Sequence, residues 1–544
     1  GGFFICARQG LTVPYLSEEW FSKVRLAVDE AKRHGLEVWL YDEYPYPSGI
    51  AGGEVILEHP DAKAVSLSHR AAAAKGGEKL YLELPWGKIL SAKAVPLAGN
   101  GVRRWDDAID ISGHIGNLQI RTIVQESGLT AYNRKRYFTY EPAFRLNWTA
   151  PAGCDWEVHV FQEKEIGDFK YYGTYIDPCH AEAVATFIRR THDKYREAVG
   201  DEFGRTIKGF FTDETGFLGK LPWSRRLPDF FRRTCGYDLL ERLHLLLYDG
   251  AGAAKVRFDY FECLHRLLNE NYHRPISEWC DRHGLKYITE VPCTGMATQR
   301  YSHISGGDSA HEKLGKPLEW IIDRYALSLR NNPKMVSSAA HQFGRDRALI
   351  ECFHSVGWSM TLQDAKWMID RLAAFGINFY NFHAFFFSVD GPRKHDAPPS
   401  QFFQNPYWPH FRKLADYAAR IAYAMSLGKP LANIAVLNPA ATFRVHLGDY
   451  QHRLGYIGID PAEQQRLERY KESWSGICKS LLLHRFDFDH LDPELLKEAQ
   501  IRGGKIRLGH AEYEVLLLPP MSHIEAEAWE RIETFLLEGG TVIC

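Results

Sequence analysis

The sequence lacks the short motifs that mark several common enzyme classes. Neither HExxH nor GxSxG occurs among its 544 residues, which argues against a zinc metalloprotease and an α/β-hydrolase. The run from Gly306 to Lys316 has glycines too far apart for a phosphate loop, and Pro317 stands where that loop requires a hydroxyl. The chain therefore shows none of these three chemistries.

The ten cysteines include no CxxC pair and no regular spacing, which argues against a zinc knuckle and against a dense disulfide framework. A reducing compartment is the mild preference, so a cytoplasmic location is slightly favoured. The chain begins with Gly-Gly rather than Met, so a leader for a periplasmic or secreted protein could precede it. The compartment stays open.

Long apolar runs and an excess of charge are also missing. Without about 18 consecutive apolar residues, no membrane span is expected. The 66 basic residues nearly balance the 68 acidic ones, so neither nucleic acid nor an anionic membrane is an expected partner. A neutral carbohydrate suits this balance, and 14 Trp and 27 Tyr are enough to line a sugar cleft as well as fill a core.

The most informative pattern is an apolar, strand-like run that ends on an acidic residue, and it occurs four times. Three helical segments end in glycine and lead directly into an apolar run, which predicts a repeating unit of helix then strand. In a barrel built from such units, all strands direct their C-terminal ends at one face, where side chains bind or react. The four runs are WLYDE with Asp42 and Glu43, FFTDE with Asp213 and Glu214, YITE with Glu290, and ALIE with Glu351.

We count seven barrel strands in the sequence, one of them placed only as lying between Trp320 and Ser338. A (β/α)8 TIM barrel would then lack its first strand, which we expect upstream of Gly1. The other six are FFIC, LEVWLYDE, IKGFFTDE, LKYITEVP, ALIECF and INFYNFHAF.

Two further modules are predicted around the barrel. Alternating β-formers predict an inserted β-sandwich at 59–166, which leaves 1–58 and 167–430 to the barrel. Short strands alternating with helices predict a doubly wound α/β domain at 431–544, which ends one strand into a continuing pattern. A homo-oligomer formed through this last domain is possible.

Glu214 and Glu351 are the predicted catalytic pair. Hydrolysis of a glycoside needs one carboxyl to protonate the leaving oxygen and another to attack or to activate water. Each of the two ends a hydrophobic strand, where an unpaired charge is costly unless it faces the open mouth. The alternative is a structural ion pair at the barrel rim. Glu290 is a third candidate, with a supporting role as its alternative.

The remaining candidates are predicted to contact substrate. Asp42, Glu43 and Asp213 would bind sugar hydroxyls, tune a neighbouring pKa or hold calcium. His383, at the end of the strand INFYNFHA, could contact substrate or be a core histidine. Two tryptophans could stack on a sugar face or simply pack: Trp358 and Trp408. No metal ligand can be assigned from the sequence.

The combination of WLYDEYPYPSGIAGG, FFTDE, ITEVP, ALIECF, GINFYNFHAFFFS and PPSQFFQNPYW resembles glycoside hydrolases around family 106, the α-L-rhamnosidases, over roughly residues 1–440. From Ala432 onward the chain is similar to the flavodoxin-like domain of family 42 β-galactosidases. The resemblance implies an inverting enzyme in which Glu214 is the general acid and Glu351 the general base. It also implies that calcium is possible and that no other cofactor is required.

Two other functions stay open at this point. One is a retaining, β-galactosidase-like exo-glycosidase, although that clan usually has Asn where this chain has Asp213. Retention places the two carboxyls about 5–5.5 Å apart and inversion about 6.5–9.5 Å. The other is a carbohydrate-binding protein on a degenerate barrel, against which the retained carboxylates count.

Overall fold

A computed structural model describes residues 1–119, 123–127, 135–139, 142–167, 174–290, 295–309, 314–326, 332–448 and 455–544. The chain forms two compact units. Unit 1 comprises Gly1–Ala62, Tyr175–Phe217 and Leu245–Cys544, and unit 2 comprises Lys63–Thr174 and Leu218–His244. Within the described ranges, no helix is both long and apolar enough to cross a membrane.

Unit 1 contains a nearly closed parallel barrel of seven strands, which confirms the predicted α/β barrel class. The strands pair in the order in which they occur in the chain, each parallel to the next. All their C-terminal ends therefore lie at one end of the barrel. The strands are β1 (Gly2–Ile5), β2 (Glu37–Tyr41), β3 (Ile207–Thr212), β4 (Lys286–Glu290), β5 (Ile304–Asp308), β6 (Ala348–Cys352) and β7 (Phe379–Phe382).

Aromatic and branched side chains from every strand fill the barrel interior. The rings of Phe4 on β1 and Phe379 on β7, the two edge strands, lie 6.1 Å apart between centroids. The C-terminal ends of the strands lie at one end of this packed core. The buried members are Trp39, Tyr41, Phe211, Ile288, Ile304 and Leu349.

The predicted position of one strand was wrong. The segment from Trp320 to Ser338 overlaps the helices Leu318–Ala326 and Pro333–Gln342, and 327–331 lie outside the described residues. The fifth strand is β5, whose sequence ISGGD has little β-propensity because two of its five residues are glycine. A Cβ at Gly306 would lie 2.8 Å from the Thr289 carbonyl oxygen, so close strand packing requires glycine here.

The helices of the barrel begin where the sequence supplies capping residues. The hydroxyl of Ser17 accepts a hydrogen bond from the Trp20 N–H, and Thr361 forms a capping box with Asp364. The helices are Glu18–Arg33, Glu54–Glu58, Ala181–Ile188, Lys194–Val199, Ala253–Leu268, Arg274–Arg282, Leu318–Ala326, Pro333–Gln342, Leu362–Ala374 and Phe411–Met425, with π-helical turns at Arg189–Asp193 and Asn269–His273.

The C-terminal part of unit 1 is a four-stranded parallel sheet in the order Asp489–Leu491, Ile434–Leu437, Val515–Leu517, Thr541–Ile543. By chain position this order is 2-1-3-4, the beginning of the flavodoxin-like order. Its helices are Ala440–Val445, Pro461–Leu483, Pro493–Glu498 and Ala526–Leu537, and a small antiparallel sheet comprises Gln500–Ile501, Ile506–Leu508 and Ala511–Tyr513.

Unit 2 is built mainly from antiparallel strands that enclose a core including Leu84, Leu146, Trp148 and Trp156. One sheet has the order Pro222–Trp223, Val65–Ala74, Trp156–Glu165, Lys88–Pro96, Ile109–Asp110. A second has the order Lys79–Pro85, Pro142–Thr149, Ile115–Gln119, and Ile123–Ser127 pairs with Lys135–Thr139. Leu227–Cys235 is its α-helix.

A buried carboxylate, Asp489, joins the C-terminal sheet to the barrel helix Pro333–Gln342. It accepts hydrogen bonds from Ser338 Oγ at 3.0 Å and from the Tyr513 hydroxyl at 2.9 Å, and His341 Nδ1 lies 3.0 Å away. Burial alone would raise the pKa of Asp489, but His341 and the charge of Lys334 lower it below the ordinary value. The surroundings of Asp489 thus stabilise its ionised carboxylate.

We expect Asp489→Asn to lower the free energy of unfolding at neutral pH by about 1–3 kcal/mol, because the amide keeps the shape but loses the charge. A lowered folded-state pKa stabilises the fold at pH values above the unfolded-state pKa, and this stabilisation is lost as the pH falls. The stability gap between wild type and variant should therefore narrow in acid. Denaturant unfolding at pH 7 and at pH values down to about 2 measures the gap, and a gap that stays constant over this range would show that the site does not stabilise the charged form.

Candidate active site

Seven acidic side chains belong to the C-terminal ends of barrel strands β2 to β6 or to the residues that directly follow them. Six of them are buried, and Glu214 is half-buried. Burying charge is expensive, so such a concentration needs a reason. The acids are Asp42, Glu43, Asp213, Glu214, Glu290, Asp308 and Glu351.

Glu351, on β6, is held from the far side of the barrel. The Tyr41 hydroxyl, on β2, donates a hydrogen bond to Glu351 Oε2 at 2.5 Å, and Asn381 Nδ2 donates to the same hydroxyl at 2.6 Å. Burial raises the pKa of Glu351 above its ordinary value, although the charge of His354 and the Tyr41 hydrogen bond act in the opposite direction. The carboxylate is oriented, and its basicity is increased.

Asp213 forms a carboxyl pair with Glu43. Burial, the charges of Glu43 and Glu351 and a hydrogen bond with Glu43 raise the pKa of Asp213 well above its ordinary value. Glu43 Oε1 in turn accepts from Arg8 Nη1 at 3.0 Å and from Cys6 Sγ at 2.9 Å. The Asp213 carboxyl therefore keeps its proton at pH values where an ordinary aspartate is ionised.

Glu290 and Asp308 make a second carboxyl pair at the ends of β4 and β5. Burial, then the charges of Asp308, Asp213 and Glu351, raise the pKa of Glu290 well above its ordinary value, as does a hydrogen bond with Asp308. The mutual effects on these pKa values show that the four acids Asp213, Glu290, Asp308 and Glu351 converge. The strand-end pattern of the sequence includes Asp213, Glu290 and Glu351 but not Asp308.

Glu214 stands apart in its backbone conformation. Its φ of 41° lies in the left-handed region, which costs a non-glycine residue of order 1–3 kcal/mol and often marks functional sites. The Tyr46 hydroxyl donates a hydrogen bond to Glu214 Oε2. The proline-rich loop after β2 thus holds the side chain of the predicted general acid.

Asp42 has a supporting position in this structure. Its carboxylate oxygens accept hydrogen bonds from Ser48 Oγ at 2.5 Å and Thr212 Oγ1 at 2.6 Å, and His192 Nε2 lies 3.3 Å away. Ser48 Oγ also accepts from the Asp213 N–H at 2.8 Å. Asp42 therefore fixes the backbone that carries Asp213.

His383 is buried just after β7. Burial and the positive charges of Arg8 and His354 keep its pKa well below the ordinary value, so the imidazole stays neutral at physiological pH. Its ring lies 6.0 Å from that of His354, between centroids. A neutral imidazole here can exchange hydrogen bonds with a sugar hydroxyl.

The two predicted stacking residues lie on the loops around β6 and β7. Trp358 is 42% exposed and donates its indole N–H to the Lys394 carbonyl at 3.1 Å. Trp408 packs against the rings of Phe402 and Phe411, at 5.0 and 5.9 Å between centroids. Trp408 is nevertheless 37% exposed, so both rings are accessible and stacking on a sugar stays a prediction for each.

Several residues of the site escaped the sequence argument because that argument searched for acids at strand ends. Asp308 was missed because the strand that carries it, β5, was not predicted. Arg8, after β1, donates to Asp396 through Nε and Nη2, both at 3.1 Å, and lies 5.4 Å from the centre of the Tyr46 ring. No periodicity marks Arg8. The others are Tyr41, Tyr46, Asn381 and Asp396.

Three of these carboxylates fit a metal ion. Asp213, Glu214 and Glu290 each offer an oxygen atom, and these atoms lie within 4.8 Å of one another. Carboxylate oxygens are the donors that calcium prefers, and a divalent cation would offset the burial and the repulsion that raise the pKa values of Asp213 and Glu290. These three carboxylates are therefore suitable ligands for calcium, the ion that the sequence analysis considered possible.

A second acidic group in unit 1 is already neutralised. Asp249 and Glu463 lie 3.2 and 3.5 Å from the guanidinium nitrogens of Arg257, and Glu463 also pairs with Arg466 and His446. Asp460, the third member, caps the helix Pro461–Leu483. This group is an ion-pair network.

We expect Tyr41→Phe to lower kcat/KM about 10- to 100-fold, since a hydrogen bond to a charged group contributes about 1.5–3 kcal/mol. Loss of that bond also raises the pKa of Glu351 further, so the acidic limb of the pH–rate profile should move to higher pH. Steady-state kinetics across pH on an aryl glycoside measures both effects. If the acidic limb of the pH–rate profile is the same in Tyr41→Phe and wild type, Tyr41 does not hydrogen-bond to the group that titrates there.

The chain is similar to known glycoside hydrolases. The model of glycoside hydrolase family 106, alpha-L-rhamnosidase, matches residues 139–443. A curated protein of Formosa agariphila with the provisional name beta-glucuronidase is 23% identical over an alignment 572 residues long, which covers 98% of this chain and 44% of that protein. The chain thus spans less than half the length of this relative.

Solved structures show the same fold at low identity. The rhamnosidase from Novosphingobium sp. PP1Y matches 100% of this chain and 65% of its own, with a TM-score of 0.62 and 16% identity. A GH42 beta-galactosidase from G. stearothermophilus matches 97% of this chain and 63% of its own, with a TM-score of 0.54 and 10% identity. At these identities the likeness concerns the fold alone.

Proposed function

The chain belongs to glycoside hydrolase family 106, whose model matches more than half of it, and from this premise we propose that it removes terminal α-L-rhamnose from oligo- or polysaccharides with inversion. The observation that carries the proposal is the convergence of buried, mutually perturbed carboxyls at the barrel mouth, with Glu351 oriented by Tyr41 and Glu214 by Tyr46. Two carboxyls in distinct surroundings are what glycoside hydrolysis requires.

In this proposal Glu214 gives its proton to the leaving glycosidic oxygen while the bond from that oxygen to the anomeric carbon breaks. Glu351 takes a proton from a water molecule whose oxygen bonds to the opposite face of the same carbon. The hydrogen bond that Glu351 accepts from Tyr41 fixes the direction of its free lone pairs.

Asp213, Glu214 and Glu290 would hold a calcium ion, which when bound supplies positive charge and open positions for sugar hydroxyls. Glu214 would then have two possible roles, ligand and general acid. Asp213 and Glu290 remain available as ligands if Glu214 reserves its proton for the leaving group. His383, neutral and buried, would exchange a hydrogen bond with the sugar.

The charge of the mouth favours a neutral sugar over a uronic acid. Arg8 lies at the mouth, but its guanidinium already pairs with Glu43 and Asp396. A glucuronate carboxylate would have to displace one of these partners and would then face the remaining acids. This is why we propose a rhamnoside, although a relative carries the name beta-glucuronidase.

The proposal is tested with nitrophenyl α-L-rhamnoside, β-D-galactoside and β-D-glucuronide. We expect release of nitrophenol from the rhamnoside with a kcat/KM at least about tenfold above the other two, a difference of about 1.4 kcal/mol in transition-state binding. Preference for the galactoside would support the retaining alternative. Binding of sugars without turnover of any substrate would support a carbohydrate-binding protein and contradict an enzyme.

A further inference from the structure

A carboxylate of the flavodoxin-like part holds the loop between two acidic strands of the barrel. Asp492 follows the strand Asp489–Leu491 and is buried. Its Oδ2 accepts hydrogen bonds from the backbone N–H groups of Met296 and Ala297, at 2.8 and 3.3 Å. Its Oδ1 accepts from Asn438 Nδ2 at 2.7 Å, so both carboxylate oxygens have donors.

The place of Asp492 in its sheet is the usual place for a ligand. In open parallel sheets, ligands bind outside the carboxyl ends of the strands, and Asn438 and Asp492 follow two adjacent strands there. In this chain the backbone of the segment Met296–Tyr301 occupies that position. The edge of the sheet at which ligands usually bind therefore contacts the barrel segment Met296–Tyr301 instead.

The held segment is a 3₁₀ helix that lies in the connection from Glu290, on β4, to Asp308, on β5. Within it, Gln299 Nε2 donates to the Gly306 carbonyl at 2.8 Å, and the Gly306 N–H donates to Gln299 Oε1 at 3.3 Å. Gly306 pairs with Glu290 in register and lies two residues before Asp308. The contacts thus lead from Asp492 to both members of one carboxyl pair.

Other contacts reinforce the same segment. Arg345 donates to the carbonyls of Gln299 and Arg300, at 2.6 and 3.0 Å. Arg300 pairs with Glu494 and Glu498, both at 3.0 Å, on the helix that follows Asp492. The segment is fixed from the barrel and from the C-terminal sheet at once, with Asp492 as its buried anchor.

We propose that Asp492 is a positioning residue for the barrel site, through which the flavodoxin-like part sets the placement of Glu290 and Asp308. This inference rests on the proposed glycosidase function. A misplacement of about 1 Å in an active site can cost up to about 100-fold in rate, so a loosened anchor should reduce turnover without any direct contact to substrate.

The test compares three variants of the full chain: Asp492→Ala, Asp492→Asn and Asp489→Asn. The alanine removes both acceptors, whereas the asparagine keeps one oxygen for the Met296 and Ala297 N–H groups. Asp489 lies three residues earlier, at the first position of the strand that Asp492 follows, and contacts Ser338 and Tyr513, so its substitution destabilises the same domain without releasing the anchor. Kinetics on the aryl rhamnoside are normalised to folded protein.

We expect kcat to fall at least about tenfold in Asp492→Ala, with KM changed less, and to remain within about threefold of wild type in the other two. Hydrogen exchange of residues 295–309 should rise only in Asp492→Ala. A wild-type kcat in Asp492→Ala, an equal loss in Asp489→Asn, or unchanged exchange would overturn the inference. If wild type shows no turnover, the proposed function fails, and the exchange comparison still decides whether Asp492 anchors the segment.

Discussion

Glu351→Gln is expected to lower kcat about 10²- to 10⁴-fold on every glycoside that the protein cleaves, because the amide cannot take the proton from the attacking water. The amide can still accept the hydrogen bond from Tyr41, so the shape of the site is kept. Initial rates on an aryl rhamnoside and on a rhamnose-containing disaccharide measure the loss. The two substrates should lose rate to a similar degree, since both need the activated water.

The chain offers a matched control for this variant. Glu37 is exposed at the first position of β2, at the opposite end of the barrel from the mouth. Glu37→Gln makes the same chemical change away from the site, and it should leave kcat unchanged. A Glu351→Gln variant that is folded and turns over as fast as Glu37→Gln would remove Glu351 from the mechanism.

Glu214→Gln is expected to have an effect that depends on the leaving group. On a disaccharide the departing oxygen needs a proton, so kcat should fall about 10²- to 10⁴-fold. On a dinitrophenyl rhamnoside the departing phenolate is stable without a proton, so the loss should be far smaller. Rates on the two substrates, taken with the same enzyme preparation, give the ratio.

This ratio also separates the two roles open to Glu214. If Glu214 acted only as a ligand in the group with Asp213 and Glu290, its substitution would disturb substrate placement for both substrates alike. Equal losses on the disaccharide and on the dinitrophenyl glycoside would therefore reject Glu214 as the general acid. Glu290→Gln is the reference for a ligand role, because Glu290 belongs to the same group and would give equal losses.

The sequence allowed the barrel class and its acidic mouth to be predicted because both depend on local pattern. Four apolar runs end in an acidic residue, and strand direction in a parallel barrel then brings those acids to one face. Glu43, Asp213, Glu290 and Glu351 converge for this reason. The catalytic roles of Glu214 and Glu351 stay predictions that the kinetic variants test.

The features of the site that could not be predicted from the sequence depend on contacts between distant parts of the chain. The strand with Asp308 was missed because two glycines reduce its β-signal, although they permit its close packing against β4. In the sequence, Tyr41 cannot be told from an ordinary core residue. Its role follows from the hydrogen bond that its hydroxyl donates to Glu351, which lies 310 positions later in the chain. Arg8 and Asp396, 388 positions apart, pair for the same kind of reason.

The most direct test of the central claim follows the sugar released from nitrophenyl α-L-rhamnopyranoside by NMR during the first turnovers. Two carboxyls acting as acid and base through a water molecule invert the anomeric centre, so the account predicts β-L-rhamnose first, followed by slow mutarotation. Initial release of α-L-rhamnose would mean that a carboxylate attacks the sugar itself. That result would contradict the assignment of Glu351 as a base.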